Sequence, residues 1–174
     1  MKRKKLNGFT LAELLVVVAI IGIVAGIIGG LAFGTTMRRS RDAKRKADLR
    51  NIATNLRIYY NDFNSLYPLN DATFRIMGCS NSIGCPWGQV WISTVNVMTG
   101  VTYMQPLPRD PSNNTAREYH YTVDADRQGF SLDACLEHVT DNQCLTIPAA
   151  DTWDNWCTLA PPNGVSGCVF RIRP

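Results

Sequence analysis

Twenty consecutive residues without a charge, Leu14 to Phe33, constrain this chain more than any other feature. At a rise of about 1.5 Å per residue, a helix of that length crosses a hydrocarbon core about 30 Å thick. The run therefore reads as a membrane helix, with Glu13 at its edge. A carboxylate near a bilayer centre costs roughly 2.5–3.5 kcal/mol on insertion scales; at the N-terminal end it can reach the interface or meet a cation.

The residues before the run carry Lys2, Arg3, Lys4 and Lys5 and no acid. By the positive-inside rule this block stays in the cytoplasm and the rest of the chain faces outward. A secretory signal starts in the same way, but its apolar core is shorter and a small-residue cleavage pattern closes it. Neither feature is present here. The formal net charge is +4, and fourteen basic and fourteen acidic side chains remain once residues 1–8 are set aside. An uncleaved signal anchor, with Glu13 snorkelling to the interface, is the plain alternative.

Gly8, Phe9, Thr10, Leu11 and Glu13, followed by the apolar helix, resemble the prepilin signature of type IV pilins and type II secretion pseudopilins. The resemblance implies that a prepilin peptidase cuts between Gly8 and Phe9 and methylates the new Phe9 amine. It implies that Glu13 pairs with the Phe9 amine of a neighbouring subunit during assembly on an inner-membrane platform. The implied product is a self-associated filament, a type IV pilus or a secretion pseudopilus. Before assembly the chain would cross the inner membrane once, with its head extracytoplasmic; afterwards it would lie in a periplasmic or extracellular filament. Elementary chemistry agrees: a free α-amine titrates near 7.7–8.0 and can neutralise a carboxylate in a dry site. Phe9 and Glu13, four residues apart, also share one helix face.

Gly22, Gly26, Gly30 and Gly34 recur every four residues, a spacing that lets helices approach closely and is also common in membrane helices generally. Many members of the family have a proline in this helix. This chain has none there, and Gly29 and Gly30 could still permit the local unwinding linked to that proline.

After Gly34 the composition changes. Leu49, Ile52, Leu56, Tyr59 and Phe63 follow 3-4-3-4 steps, the apolar stripe of an amphipathic helix. A continuous helix from Phe9 to about Phe63 would be on the order of 80 Å long. It should end before Asn64, Ser65 and Pro68, with its outer half packed on a domain and its inner half protruding. Residues 38–57 hold eight basic and two acidic side chains, and residues 58–174 hold six basic and eleven acidic. A basic stalk beside an acidic head suits packing of one subunit's stalk on another's head. Anionic lipid or nucleic acid is the rival partner for Arg38 to Lys46. With no aromatic residue there to stack on bases, sequence-specific nucleic-acid recognition is not expected. For most of these cations the bland reading is a solvated helix face.

Residues 64–174 form the head. Tyr119, Tyr121 and Val123 alternate with polar residues, as do Phe130, Leu132, Ala134 and Leu136, and Phe170 and Ile172 close the chain. These periods of two predict antiparallel strands, while 72–100 is ambiguous between short helix and loop. The fold class expected is α+β, a long N-terminal helix packed on a small antiparallel sheet. The organisation is a leader over 1–8, a transmembrane and assembly helix over 9–34, an amphipathic helix over 35–63, and the head. "YYNDFNSLYP", "YMQPLPRDP", "REYHYTV" and "GFSLDACLE" are similar to the major pseudopilin branch; beyond Gln143 no family pattern is recognised.

Six cysteines in an outward-facing domain predict disulfides. Their spacing suggests local closure, Cys79 with Cys85, Cys135 with Cys144 and Cys157 with Cys168, among the many pairings six cysteines allow. A zinc site with His120 or His138 is a weaker alternative, because no Cys-x-x-Cys pair occurs. No catalytic constellation is recognisable, and both histidines read as surface strand residues. Asp110, Asp124 and Asp126 are candidates for calcium, which the resemblance to major pseudopilins implies in this part of the head, although Asp124 to Gly129 equally reads as a plain turn. No other cofactor is implied. The competing function is a monomeric membrane-anchored domain binding a ligand through Trp153, Trp156 and the disulfide loops.

Overall fold

The computed structural model describes residues 9–80, 83–92, 100–112, 117–138, 140–146, 157 and 168–174, without the side chains of 28–35, 80, 83 and 146. Its first element is helix α1, Leu11–Asp62, of 52 residues. Two compact units divide the chain, Met1–Met37 and Arg38–Pro174. In the first unit the described helix exposes its apolar side chains, Leu14 and Ile23 among them. Among the described residues no helix is long and apolar enough to cross a membrane. The uncharged run itself continues past residue 27 into positions whose side chains lie outside the described set.

In the second unit the remainder of α1 packs on short antiparallel strands, the α+β class read from the sequence and one consistent with a pilin-like fold. Strands β1 (Met77–Ser80) and β2 (Ile83–Gly84) form one hairpin, and β3 (Trp91–Ile92) pairs with β4 (Thr102–Met104). The ambiguous segment 72–100 thus contains strands. In its described part Gly78, Gly84, Pro86 and Gly88 interrupt the apolar residues, which favours short strands and turns over helix. The main sheet is antiparallel in the order β5 (His120–Val123), β6 (Phe130–Leu136), β8 (Cys168–Ile172), β7 (Leu145–Thr146).

The core lies between α1 and one face of that sheet. Leu49, Ile52 and Leu56 are fully buried against Tyr121, Leu132, Ala134 and Phe170. Each such aliphatic side chain contributes roughly 1.5–3 kcal/mol of hydrophobic stabilisation. The buried stripe is longer than the apolar residues suggest: two further 3-4 steps toward the N-terminus reach Arg45 and Asp42, both buried. Tyr59 and Phe63 close it in a ring cluster with Trp91 and Tyr103.

The helix ends where Asn64 and Ser65 take φ of 50° and 58°. Ser65 N–H donates to the Tyr60 carbonyl at 3.0 Å, the six-to-one bond of a Schellman cap. The turn from β5 to β6 is pinned beside this cap: Tyr67 N–H donates to the Arg127 carbonyl at 3.0 Å and Arg127 Nε donates to the Tyr67 carbonyl at 2.7 Å.

All six cysteines are bonded, as Cys79–Cys85, Cys135–Cys157 and Cys144–Cys168, with Cα separations of 5.0, 5.5 and 5.1 Å. The expected pairs Cys135–Cys144 and Cys157–Cys168 are therefore corrected, and strand parity is the reason. Leu136 faces Cys168 across β6 and β8, and Cys135 faces Val169. Successive side chains point to opposite faces. Cys168 thus joins the helix-side core, where Cys144 packs, while Cys135 clusters with Cys157 and Val169 on the other face.

Candidate processing and assembly site

Thr10 and Glu13 build the start of α1. Thr10 N–H donates to Glu13 Oε2 at 2.9 Å and the Thr10 hydroxyl donates to the same oxygen at 2.8 Å; Glu13 N–H returns a bond to Thr10 Oγ1 at 3.3 Å. This is a capping box, which satisfies two of the donors a helix leaves open at its N-terminus. The Glu13 carboxylate is thereby folded back toward the first residues, where the helix dipole also favours negative charge. Phe9, immediately before Thr10, is 85 % exposed. Gly8 and the leader lie outside the described residues, as do Trp153 and Trp156. Sequence reasoning found Glu13 as an isolated charge and missed its partner; the signal was Thr-x-x-Glu directly before an apolar run.

The sites of Gly22 and Gly26 are open, with nothing within 4 Å of where a Cβ would stand. Among the described residues none stands against these positions, an opening that suits close approach by another helix.

A second constellation surrounds Arg45, whose side chain is fully buried. Its guanidinium donates to Asp110 at 2.6 and 3.0 Å, to Asp42 at 2.7 Å and to Glu137 at 2.9 Å. Arg41 makes a bidentate pair with Glu137, and Arg117 lies 3.4 Å from the same carboxylate. Asp42 in turn accepts the backbone N–H of Glu137 and of His138, each at 2.9 Å. Burial works against a charged Arg45, but Asp110, Glu137 and Asp42 outweigh it and raise its pKa. The hydrogen bond from Arg41, reinforced by Arg45 against the opposing effect of burial, holds Glu137 down at about 2. Burial alone would raise Asp110, yet Arg45 and Ser112 bring it below its ordinary value. Three guanidinium groups and three carboxylates neutralise one another here, so the cluster is a structural tie and offers no nucleophile.

Several sequence readings change on this geometry. Arg41, Arg45 and Lys46 are not part of a solvated helix face, because carboxylates of the same unit draw them in; Lys46 Nζ is 2.6 Å from Asp141. Part of the head's acidity is met by cations of the same chain: Asp110, Glu137 and Asp141 pair with Arg45, Arg41 and Lys46 of α1, and Asp133 and Glu118 pair with Arg171 and Arg75. His120 lies in strand β5 and is half-buried rather than fully exposed. It stacks on Phe74 at 4.7 Å between ring centroids, and burial lowers its pKa to about 4. Of the calcium candidates, Asp110 is engaged by Arg45, while Asp124 and Asp126 sit in the exposed β5–β6 turn and bond its backbone. Among the described residues no group of three or more His, Cys, Asp or Glu side chains is placed to hold a metal ion.

Residues 3–29 match the family model of the prokaryotic N-terminal methylation motif. The chain thus carries the type IV pilin and pseudopilin signature, that of a precursor processed by prepilin peptidase and of structural rather than enzymatic proteins. No curated protein and no solved structure matches the chain.

Proposed function

We propose that this protein is the structural subunit of a type IV pilus or a type II secretion-like pseudopilus. The prepilin peptidase cuts between Gly8 and Phe9 and methylates Phe9. The segment 9–34 then holds the subunit in the inner membrane until an assembly platform draws it into a helical filament. The observation that carries this reading is that the methylation signature falls on the apolar start of α1, whose described side chains are exposed and whose one charge before Arg38 is Glu13. Exposed apolar surface on this scale requires cover, either lipid or other helices. In the filament the helices of neighbouring subunits supply that cover, and each Phe9 ammonium meets the Glu13 carboxylate of a neighbour in a dry core.

Two measurements test it. Intact-mass analysis of filaments sheared from native cells should find chains that begin at N-methylated Phe9. Glu13→Ala should leave insertion and cleavage largely intact, since it makes the segment more apolar, and should abolish most filaments. The reason is that every added subunit would then bury an ammonium without its partner, at a cost of about 3–5 kcal/mol. Assembled material still carrying residues 1–8 would overturn the processing step, normal filament numbers with Glu13→Ala would show the carboxylate to be incidental to assembly, and uncleaved chain found only as membrane-held monomer would favour a simple anchor.

A further inference from the structure

Six cations and one acid, Asp42, stand between residues 38 and 46, the first charges after the run 14–37. Under the reading proposed above this segment lies on the outer side of the membrane, where the positive-inside bias disfavours Lys and Arg. Such a concentration of charge calls for a physical account, and the head supplies one for half of it. Arg41, Arg45 and Lys46 turn inward to Glu137, Asp110, Asp42 and Asp141. Arg38, Arg39 and Lys44 do not: all three are exposed and make no ion pair or hydrogen bond with another described residue. The charge of Lys44 acts on Asp48 one turn further along, whose carboxylate accepts from Tyr119 at 2.8 Å.

We propose that Arg38, Arg39 and Lys44 bind the phosphate groups of anionic phospholipids in the outer leaflet while the subunit waits in the membrane. The inference rests on the anchored stage of the proposed function. Three observations select lipid as the partner. With the uncharged run in the hydrocarbon, Arg38 and Arg39 are the first residues able to meet headgroups, and Lys44 lies only about 9 Å further along the axis. Its long side chain can reach back over that distance. The three cations also point in different directions. At 3.6 residues per turn, Arg39 lies about 100° and Lys44 about 240° round the helix from Arg38. A ring of charge fits the annulus of lipids around a helix, whereas nucleic acid or another linear polyanion would meet only one side. Finally, Lys46, which could have extended the ring along one flank, is tied to Asp141.

The test uses the full chain in nanodiscs of phosphatidylcholine and phosphatidylglycerol, with lipid selectivity read by spin-labelled lipids of each kind. The wild type should prefer phosphatidylglycerol, and Arg38→Gln/Arg39→Gln/Lys44→Gln should reduce that preference several-fold. Arg38→Lys/Arg39→Lys should keep it, and so should Arg50→Gln/Arg57→Gln. The leader's cations contribute equally to every variant, so the differences isolate the outer ring. An inserted chain whose selectivity is unchanged in the triple variant, or falls as far in Arg50→Gln/Arg57→Gln, overturns this inference alone. Tighter binding of a short DNA duplex through the same three residues would assign them to nucleic acid and also overturn it. A chain that fails to insert, judged by liposome flotation, overturns the anchored reading itself and the inference with it.

Discussion

Arg45 and Asp110, 65 residues apart in sequence, meet through two parallel hydrogen bonds, Nε to Oδ2 at 2.6 Å and Nη2 to Oδ1 at 3.0 Å. Both side chains are buried, so this pair ties α1 to the loop that follows β4 in a low-dielectric setting. Removing one partner of such a pair leaves an uncompensated charge and costs about 3–5 kcal/mol. Asp110→Ala should therefore lower the urea midpoint of the folded chain by that equivalent. Glu118→Gln, which breaks the more exposed pair with Arg75, should cost no more than about 1 kcal/mol. Equal effects would show that burial does not govern these pairs.

Acid should loosen the same region. Glu137 titrates near 4.5 when unperturbed and about 2 in the fold. Its folded pKa is depressed, so the stability it contributes is fully present above about 4.5 and is lost as the pH falls toward about 2. Thermal unfolding measured between those limits should show a falling midpoint, and Glu137→Gln should flatten the slope while lowering stability at neutral pH. An unchanged slope in that variant would place the acid sensitivity elsewhere.

His120 gives a separate acid signature. Burial lowers its pKa from 6.5 to about 4. Between those values the unfolded chain binds more protons than the folded one, so this histidine reduces stability as the pH falls from about 6.5 to about 4. In an NMR titration of the folded protein its ring should remain neutral at pH 6 and titrate near 4. A midpoint close to 6.5 would mean that the ring is solvated.

Non-reducing peptide maps should link Cys135 to Cys157 and Cys144 to Cys168. The double variant Cys144→Ser/Cys168→Ser should lose about 2–4 kcal/mol of stability, because a loop of 24 residues is opened in the unfolded chain. Recovery of Cys135 joined to Cys144 would overturn the sheet register described for β6 and β8.

Patterns carried by neighbouring residues were legible without the structure. The apolar run, its single carboxylate, the Gly8–Phe9 boundary and the period-two strands β5, β6 and β8 all depend on spacing along the chain, and local spacing is what sequence displays. Even so, the capping pattern that joins Thr10 to Glu13 is hidden in the sequence, because it overlaps the edge of the membrane run. The place of Arg45 and Asp42 is hidden in the sequence for a different reason. They continue the buried stripe of Leu49, Ile52 and Leu56, but a charged residue at a core position announces itself only when its counter-charges are known. Those counter-charges, Asp110 and Glu137, come from a loop and a strand end far along the chain.

The sequence by itself determined the α+β class, the long helix and the processing signature, because each follows from local composition and period. Only the tertiary structure decided which cations are consumed and which remain outside, and which cysteine meets which. Charge pairing is set by proximity after folding. Disulfide choice is set by the sheet face to which each strand's parity sends a side chain, and that face sends Cys135 to Cys157 and Cys168 to Cys144.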